Sequence, residues 1–276
     1  MLMKKMFYFV FLSFILPVFL HSPFTSAEFQ YPFRSISPDV TPHGIQQLRF
    51  GVEYARGERF FFQTADKKRE VYQLPSLDLA VGITPKVEFL FSYPFLFLRQ
   101  KDQESNYGSG DLRIATVFNL ITEGKILPEG GAKFGVKLPN ADDIREFGTD
   151  QTDFFIGGVF LKRIGKVKLL MNPDLAILGN PSTTETKQDD ILIYTIGAIY
   201  PMGDNIAAGL EFHGIEFSRF GNDRRFLRGG LAYNWNGMLI DIGGAIGLTE
   251  TSGDFQVGIG ITLKYGIEKK EMTCPQ

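Results

Sequence analysis

The chain has 276 residues and a near-neutral net charge of −2, from 29 Lys and Arg against 31 Asp and Glu. This balance does not indicate a nucleic-acid partner. The single cysteine, Cys274, excludes an intramolecular disulfide and any metal cluster built from cysteines. With 27 Phe, 10 Tyr and 30 Gly, the composition is aromatic and glycine-rich, as suits a β-barrel.

The chain begins with a predicted export signal. Lys4 and Lys5 precede a largely apolar stretch at 6–20, and small residues follow at 25–27. This pattern predicts a secretory signal peptide at 1–27 that is cleaved after Ala27. The apolar stretch is shorter than the roughly 20 residues that a spanning helix needs. A lipoprotein signal would place a cysteine directly after the cleavage site, and since the single cysteine is Cys274, we do not expect a lipid anchor.

Residues 28–44 contain three prolines and are predicted to form an irregular segment before the first strand. After it, period-two alternation of apolar and polar residues predicts twelve strands. They lie at roughly 46–56, 73–83, 87–97, 109–120, 130–138, 153–163, 166–177, 190–200, 205–215, 224–235, 238–248 and 255–265. The last shows the pattern most clearly, while the faces of 153–163 are ambiguous. A polar tail is predicted at 266–276.

The predicted fold is all-β, a transmembrane antiparallel up-and-down β-barrel of about twelve strands at 45–265. No run of 18 apolar residues follows the signal, which excludes a helical membrane protein and leaves only β-spans. Short turns, including the strong hairpin signal Asn-Gly at 236–237, alternate with longer polar connections. Both ends of the barrel domain are therefore expected on the short-turn, periplasmic side. The connection 121–129 is longer than this pattern predicts unless the next strand begins before residue 130.

Charged and polar side chains are predicted to line the lumen, since charges on the lipid face would be costly. These positions are Arg49, Glu53, Asp78, Glu88, Asp111, Arg113, Lys133, Lys137, Lys168, Asp174, Glu211, His213, Arg228, Asp241 and Lys264. The favoured interpretation is that they pair across the lumen and hold the wall together, because buried charges persist mainly when paired. The alternative is a polar path for a small solute. Twelve strands predict a narrow lumen.

We expect neither catalysis nor a cofactor. His21 is lost with the predicted signal, and His213 and Ser218 lie on one strand end and its loop rather than on adjacent strands. An outer-membrane phospholipase would need a nucleophilic serine beside a histidine on adjacent strands. The paired aspartates at 142–143 and 189–190 lack the spacing of a calcium loop, so no metal site is predicted.

Several short motifs carry a family resemblance. They are Gly-Ser-Gly-Asp-Leu at 108–112, Gly-Val-Lys-Leu-Pro-Asn at 135–140, and Phe-Gly-Thr-Asp at 147–150 followed by Asp-Phe at 153–154. Over roughly residues 45–265 the chain resembles the MetA-pathway phenol-degradation family of outer-membrane barrels. The resemblance implies a barrel described as a transporter of small or aromatic compounds. The chain departs from the family with Pro-Asn-Ala at 139–141, where the family reads Pro-Thr-Gly.

The primary hypothesis is a narrow channel or uptake barrel for small molecules in the outer membrane of a Gram-negative-type cell. The family resemblance adds aromatic compounds to the candidate solutes. The main alternative is a structural or binding barrel plugged by residues 28–44 or by an inward-folded loop. A soluble periplasmic calyx is a third hypothesis, and the outward apolar faces argue against it. Outer-membrane lipid is the one partner expected. The solute, the state of the lumen and the oligomeric state stay open.

Overall fold

The computed structural model describes residues 32–58, 69–100, 104–179, 190–217 and 223–267. The predicted signal at 1–27, Ser218, residue 189 and nearly all of the predicted tail lie outside these ranges. The described strands are β1 (Ile45–Glu58), β2 (Arg69–Thr84), β3 (Val87–Arg99), β4 (Asn106–Ser109), β5 (Arg113–Ile121), β6 (Glu129–Lys137), β7 (Asp153–Ile164), β8 (Val167–Ile177), β9 (Ile191–Pro201), β10 (Ile206–Phe217), β11 (Arg224–Trp235), β12 (Met238–Gly247) and β13 (Phe255–Gly266).

The strands form a closed antiparallel barrel. Strands that are neighbours along the chain pair with each other, except that β4 pairs only with β3. β3 therefore pairs with β5 as well, and β1 closes the ring by pairing with β13. Twelve long strands, β1–β3 and β5–β13, make the wall, with β4 as a short extra strand. The predicted antiparallel barrel of about twelve strands is confirmed. No helix in the described part of the chain is long and apolar enough to cross a membrane.

One predicted strand is interrupted, because 109–120 is divided into β4 and β5 with 110–112 between them. Pro94 of β3 lies at this break, and its carbonyl accepts the Gly110 N–H at 2.8 Å. Proline cannot donate to a strand ladder, so regular pairing is weakened here. The N–H of Leu112 instead donates to Asn140 Oδ1 at 2.7 Å. At the other end of β5, the next strand begins only at Glu129. The connection between β5 and β6 therefore spans residues 122–128 and is long for this end of the barrel.

Side chains alternate between lipid and lumen as period two requires. In β8, Leu169, Met171 and Leu175 are exposed outward, whereas Leu170 and Asn172 are buried inward. In β7, where the sequence was ambiguous, Val159 and Leu161 are buried and Phe154 and Ile156 are exposed. The outward faces therefore present an apolar band, which a membrane barrel needs.

Aromatic side chains mark both rims of this band. Tyr54 lies 4.8 Å from Tyr72 between ring centroids, and Tyr72 lies 5.7 Å from Phe97, near the long-loop rim. Exposed Tyr233 and Trp235 lie near the opposite rim, beside the short turns. Such girdles are typical of transmembrane barrels, because aromatic rings suit the membrane–water interfaces.

The short turns lie at the end where β1 begins and β13 ends, with Ile45 paired to Gly266. The hairpin predicted at 236–237 is confirmed: Asn236 and Gly237 have φ values of 51° and 88°. Positive φ at both positions gives the mirror-image turn that fits the twist of two paired strands.

Candidate lumen site

Residues 32–43, here called the lumen segment, run inside the barrel against its wall. Phe33 is buried in one cluster with Leu161, Leu170, Ile199 and Ala207. Pro32 lies so close to Gly230 and Gly243 that a Cβ on either glycine would collide with its ring. Glycine at these two positions therefore makes room for the segment.

Polar groups of the wall satisfy the backbone of the lumen segment. The Glu211 carboxylate accepts the N–H of residue 34 at 3.1 Å and that of residue 35 at 2.7 Å. Asn172 accepts the N–H of residue 36 at 2.7 Å and donates to the same residue's carbonyl at 2.8 Å. Glu88 accepts the N–H of residue 41 at 2.8 Å. An irregular backbone in a lumen needs such partners, since unpaired polar groups are costly to bury.

A second set of contacts holds the segment at the short-turn end. Arg163 of β7 pairs with Asp39 of the segment at 2.5 Å, with Glu123 at 2.7 Å and with Glu129 at 2.8 Å. Asn119 donates to the carbonyl of residue 38 at 3.0 Å. Hydrogen bonds from the Arg163 backbone and guanidinium lower the pKa of Glu123, in the turn 122–128, to about 2. Glu123 is thus ionised across the physiological range and orients Arg163.

Many of the predicted lumen charges pair across strands. Arg49 of β1 makes a two-pronged contact with Asp241 of β12, at 2.8 and 3.0 Å, and reaches Asp78 of β2 at 3.3 Å. Lys133 of β6 pairs with Asp174 of β8 at 2.7 Å. Arg49 and Asp241 are almost wholly buried, and removing Arg49 would take away the ion-pair partner of the Asp241 carboxylate. These contacts stabilise the wall.

A third charge cluster lies at the long-loop end. Lys137 contacts Asp111 at 3.2 Å, Asp153 at 3.0 Å and the Thr149 hydroxyl at 2.6 Å. The loop 138–152 folds back over this cluster, and its Phe147 packs into a buried apolar cluster with side chains of β2 and β3. The short motifs at 108–112, 135–140 and 147–150 therefore meet in one place, although the sequence separates them.

Between these clusters the lumen holds a cavity of about 250 Å³. The lumen segment, β1–β3, β5 and β11–β13 contribute its lining. Arg34 projects into it with a side chain 44% exposed, pairs with Glu53 at 3.2 Å and has a pKa raised by the attraction of that carboxylate. Arg113 also lines the cavity and is exposed. Within the described ranges the guanidinium of Arg113 has no ion pair or hydrogen bond.

The other predicted positions do not form one site. Arg228 lines the cavity and donates to Gln256 Oε1 at 2.5 Å. His213 is inward, with its ring 6.2 Å from Phe226, and its Nδ1 has no hydrogen-bond partner among the described residues. Lys168 and Lys264 lie half-buried near the short-turn rim.

The sequence analysis did not predict three wall residues that bind the lumen segment. They are the amides Asn172 and Asn119 and, near the short turns, Arg163. For Asn172 a signal existed, since it occupies an inward position between buried Leu170 and Asp174 of β8. An amide placed among inward residues of a strand is costly without a partner. The partner, 136 residues away along the chain, could not be read from the pattern.

Comparison with solved structures found several matches, and the first of them shares this barrel fold. An outer-membrane channel of Pseudomonas putida F1 matches with a TM-score of 0.65 at 12% identity, over 83% of this chain and 98% of that one. The toluene transporter TbuX of Ralstonia pickettii matches with a TM-score of 0.46 at 10% identity, over 84% of this chain and 92% of that one. The P. putida toluene transporter TodX has a TM-score of 0.41 at 9% identity, over 86% of this chain and 94% of that one.

The comparison with curated proteins found no match. One family model matches residues 47–265, which is most of the chain and all but the first two residues of the barrel domain predicted at 45–265. Its matched region contains every short motif that converges around Lys137. The chain belongs to the family described as "Putative MetA-pathway of phenol degradation".

Proposed function

We propose that this protein is a narrow outer-membrane channel for small molecules. The observation that carries the proposal is the cavity of about 250 Å³ inside the closed wall, into which Arg34 and Arg113 project exposed side chains. Charged side chains reach solvent there while the outward face is apolar, so water and small polar solutes have room inside. The same fold serves in the outer-membrane channel of P. putida F1.

Aromatic compounds are the solute class that the proposal favours. The family description refers to phenol degradation, and the cavity lining combines apolar groups such as Phe33, Ile36 and Leu90 with charged ones. A lining of this kind suits a small ring that bears a polar substituent. Export through a signal cleaved after Ala27 is part of the same proposal.

A plugged barrel is the second candidate function. Its support is the anchoring of the lumen segment, whose backbone makes hydrogen bonds to Glu211, Asn172 and Glu88. A segment held at several points narrows the lumen and can block it. In this case the barrel would bind partners or solutes without steady conduction.

Conductance in planar bilayers and swelling of proteoliposomes separate the two candidates. A channel gives single-channel currents in the wild-type protein and swelling that falls as solute size rises. A plugged barrel gives no current in the wild type and gains current when residues 32–43 are deleted. Absence of current in both proteins would refute the channel and also count against the plug.

The membrane location has its own test. Cell fractionation, followed by electrophoresis of heated and unheated samples, should place the protein in the outer membrane with a mobility that changes on boiling. Mass spectrometry of the purified protein should give an N-terminus at residue 28. A soluble periplasmic protein without the mobility shift would contradict the proposed location.

A further inference from the structure

We propose that the cavity contains a binding site for a small organic anion, a carboxylate, at Arg113. This inference rests on the proposed function, because it names the solute class that the lumen favours. It starts from the uneven charge of the cavity lining. Four arginines line it, at 34, 49, 113 and 228, against two carboxylates, Glu53 and Asp78.

The two lining carboxylates are already engaged. Glu53 pairs with Arg34 at 3.2 Å, and Asp78 pairs with Arg49 at 3.3 Å. Arg49 also holds the buried Asp241. Among the four lining arginines, Arg113 and Arg228 therefore have no carboxylate of the described residues at ion-pair distance.

Arg113 is the member of this set with no partner of its own in the described part of the chain. Three carboxylates, Asp111, Asp153 and Asp78, attract Arg113 electrostatically, but they lie at ion-pair distance from Lys137 and Arg49 instead. A guanidinium presents five N–H donors in a fixed fork that matches a carboxylate at two points. Charges in a narrow lumen are screened less than charges in bulk water. A cation there that has no ion-pair partner therefore attracts an anion strongly.

The groups beside Arg113 fit the remainder of such a ligand. Ser92 of β3 lies directly opposite Arg113 in the strand register, and both line the cavity. Opposite residues on one face have Cβ atoms about 5 Å apart, so one carboxylate can reach the guanidinium and the hydroxyl together. Leu90 and Ile36 supply apolar lining in the same cavity. The site therefore favours an anion with a small apolar body over an inorganic ion.

Calorimetry on the detergent-solubilised barrel tests the site without requiring conduction. Sodium benzoate is the charged probe and benzyl alcohol its neutral counterpart. The wild type should bind benzoate more tightly than benzyl alcohol, and Arg113→Gln should weaken benzoate binding by about tenfold or more. Arg113→Lys keeps the charge but lacks the forked guanidinium, so its affinity for benzoate should lie between those of the wild type and Arg113→Gln. The matched control is Lys86→Gln, in an exposed turn, which should bind as the wild type does.

Equal affinity for the two probes, no benzoate binding in the wild type, or unchanged binding in Arg113→Gln would overturn the site. Reversal potentials in a potassium chloride gradient give a second measure: the wild type should prefer chloride, and Arg113→Gln should lose that preference. Currents with no preference, the same in both proteins, would overturn the site and leave the channel standing. If no current flows at all, the channel proposal fails and calorimetry alone decides the site.

Discussion

The hold of the wall on the lumen segment can be tested at Glu211. This carboxylate accepts the N–H groups of residues 34 and 35 at 3.1 and 2.7 Å and is almost completely buried. Glu211→Gln keeps the shape of the side chain but removes its charge. It also replaces one accepting oxygen with an NH2 group, which would face a backbone N–H of the lumen segment. A hydrogen bond to a charged group contributes about 1.5–3 kcal/mol, so loss of one raises the released fraction of the segment about 10- to 150-fold.

Limited trypsin digestion measures that release. The protease is too large to enter a narrow lumen, so it should cut after Arg34 only in molecules whose segment has left the barrel. Mass spectrometry should show the N-terminal fragment forming faster in Glu211→Gln, with larger or more frequent bilayer currents. The control is Glu216→Gln on the same strand, whose carboxylate binds Arg225 instead of the segment. Equal cleavage rates and equal currents in Glu211→Gln and the wild type would refute the anchoring role.

Three further predictions concern the wall and the short-turn end. Asp241→Asn should destabilise the barrel by about 3 kcal/mol in urea unfolding, since the remaining carboxylate contacts of Arg49, with Asp78 at 3.3 Å and Glu53 at 4.0 Å, are longer than the one it loses; an unchanged midpoint would contradict this. Phe33→Ala should speed trypsin cleavage of the segment as Glu211→Gln does, because it empties a buried apolar contact; cleavage at the wild-type rate would argue against packing as an anchor. The pKa of Glu123 is lowered to about 2 by hydrogen bonds from Arg163, so its stabilising effect is present above pH 4.5 and is lost as the pH falls towards 2. The difference in stability between the wild type and Glu123→Gln should therefore be seen at pH 7 and vanish near pH 2, and a difference that persists at pH 2 would contradict it.

The strands could be predicted because every wall residue faces either lipid or lumen. Apolar and polar residues therefore alternate along each strand of the sequence. In β13, exposed Val257, Ile259 and Ile261 alternate with inward Gly260 and Thr262, and no other secondary structure would bury and expose them in that order. The same pattern hid the break at 110–112. The break is caused by the partner strand β3, in which the Pro94 carbonyl accepts the Gly110 N–H. Hydrophobic periodicity carries no information about the partner strand.

The candidate site was less accessible to prediction. The inward positions followed from alternation, but which charges meet depends on the stagger between strands. Arg49 and Asp241, for example, are 192 residues apart along the chain. The path of the lumen segment was hidden for the same reason, since Glu211 lies 177 residues from the backbone N–H that it accepts. An irregular, proline-containing segment shows only that it is not a strand, and its position is fixed by groups elsewhere.

The pairing and solute-path interpretations of the lumen charges apply to different groups. Arg49 with Asp241 and Lys133 with Asp174 are matched inside the wall, so a solute would have to break a buried pair to use them. Glu211 and Glu88 are engaged by the backbone of the lumen segment, and a solute could reach them only after that segment moves. Arg113 is exposed to the cavity, and its guanidinium makes no ion pair or hydrogen bond with the described residues. Selectivity is therefore expected to depend on Arg113 and opening on Glu211, and substitution of either should change one property while the wall pairs keep the barrel intact.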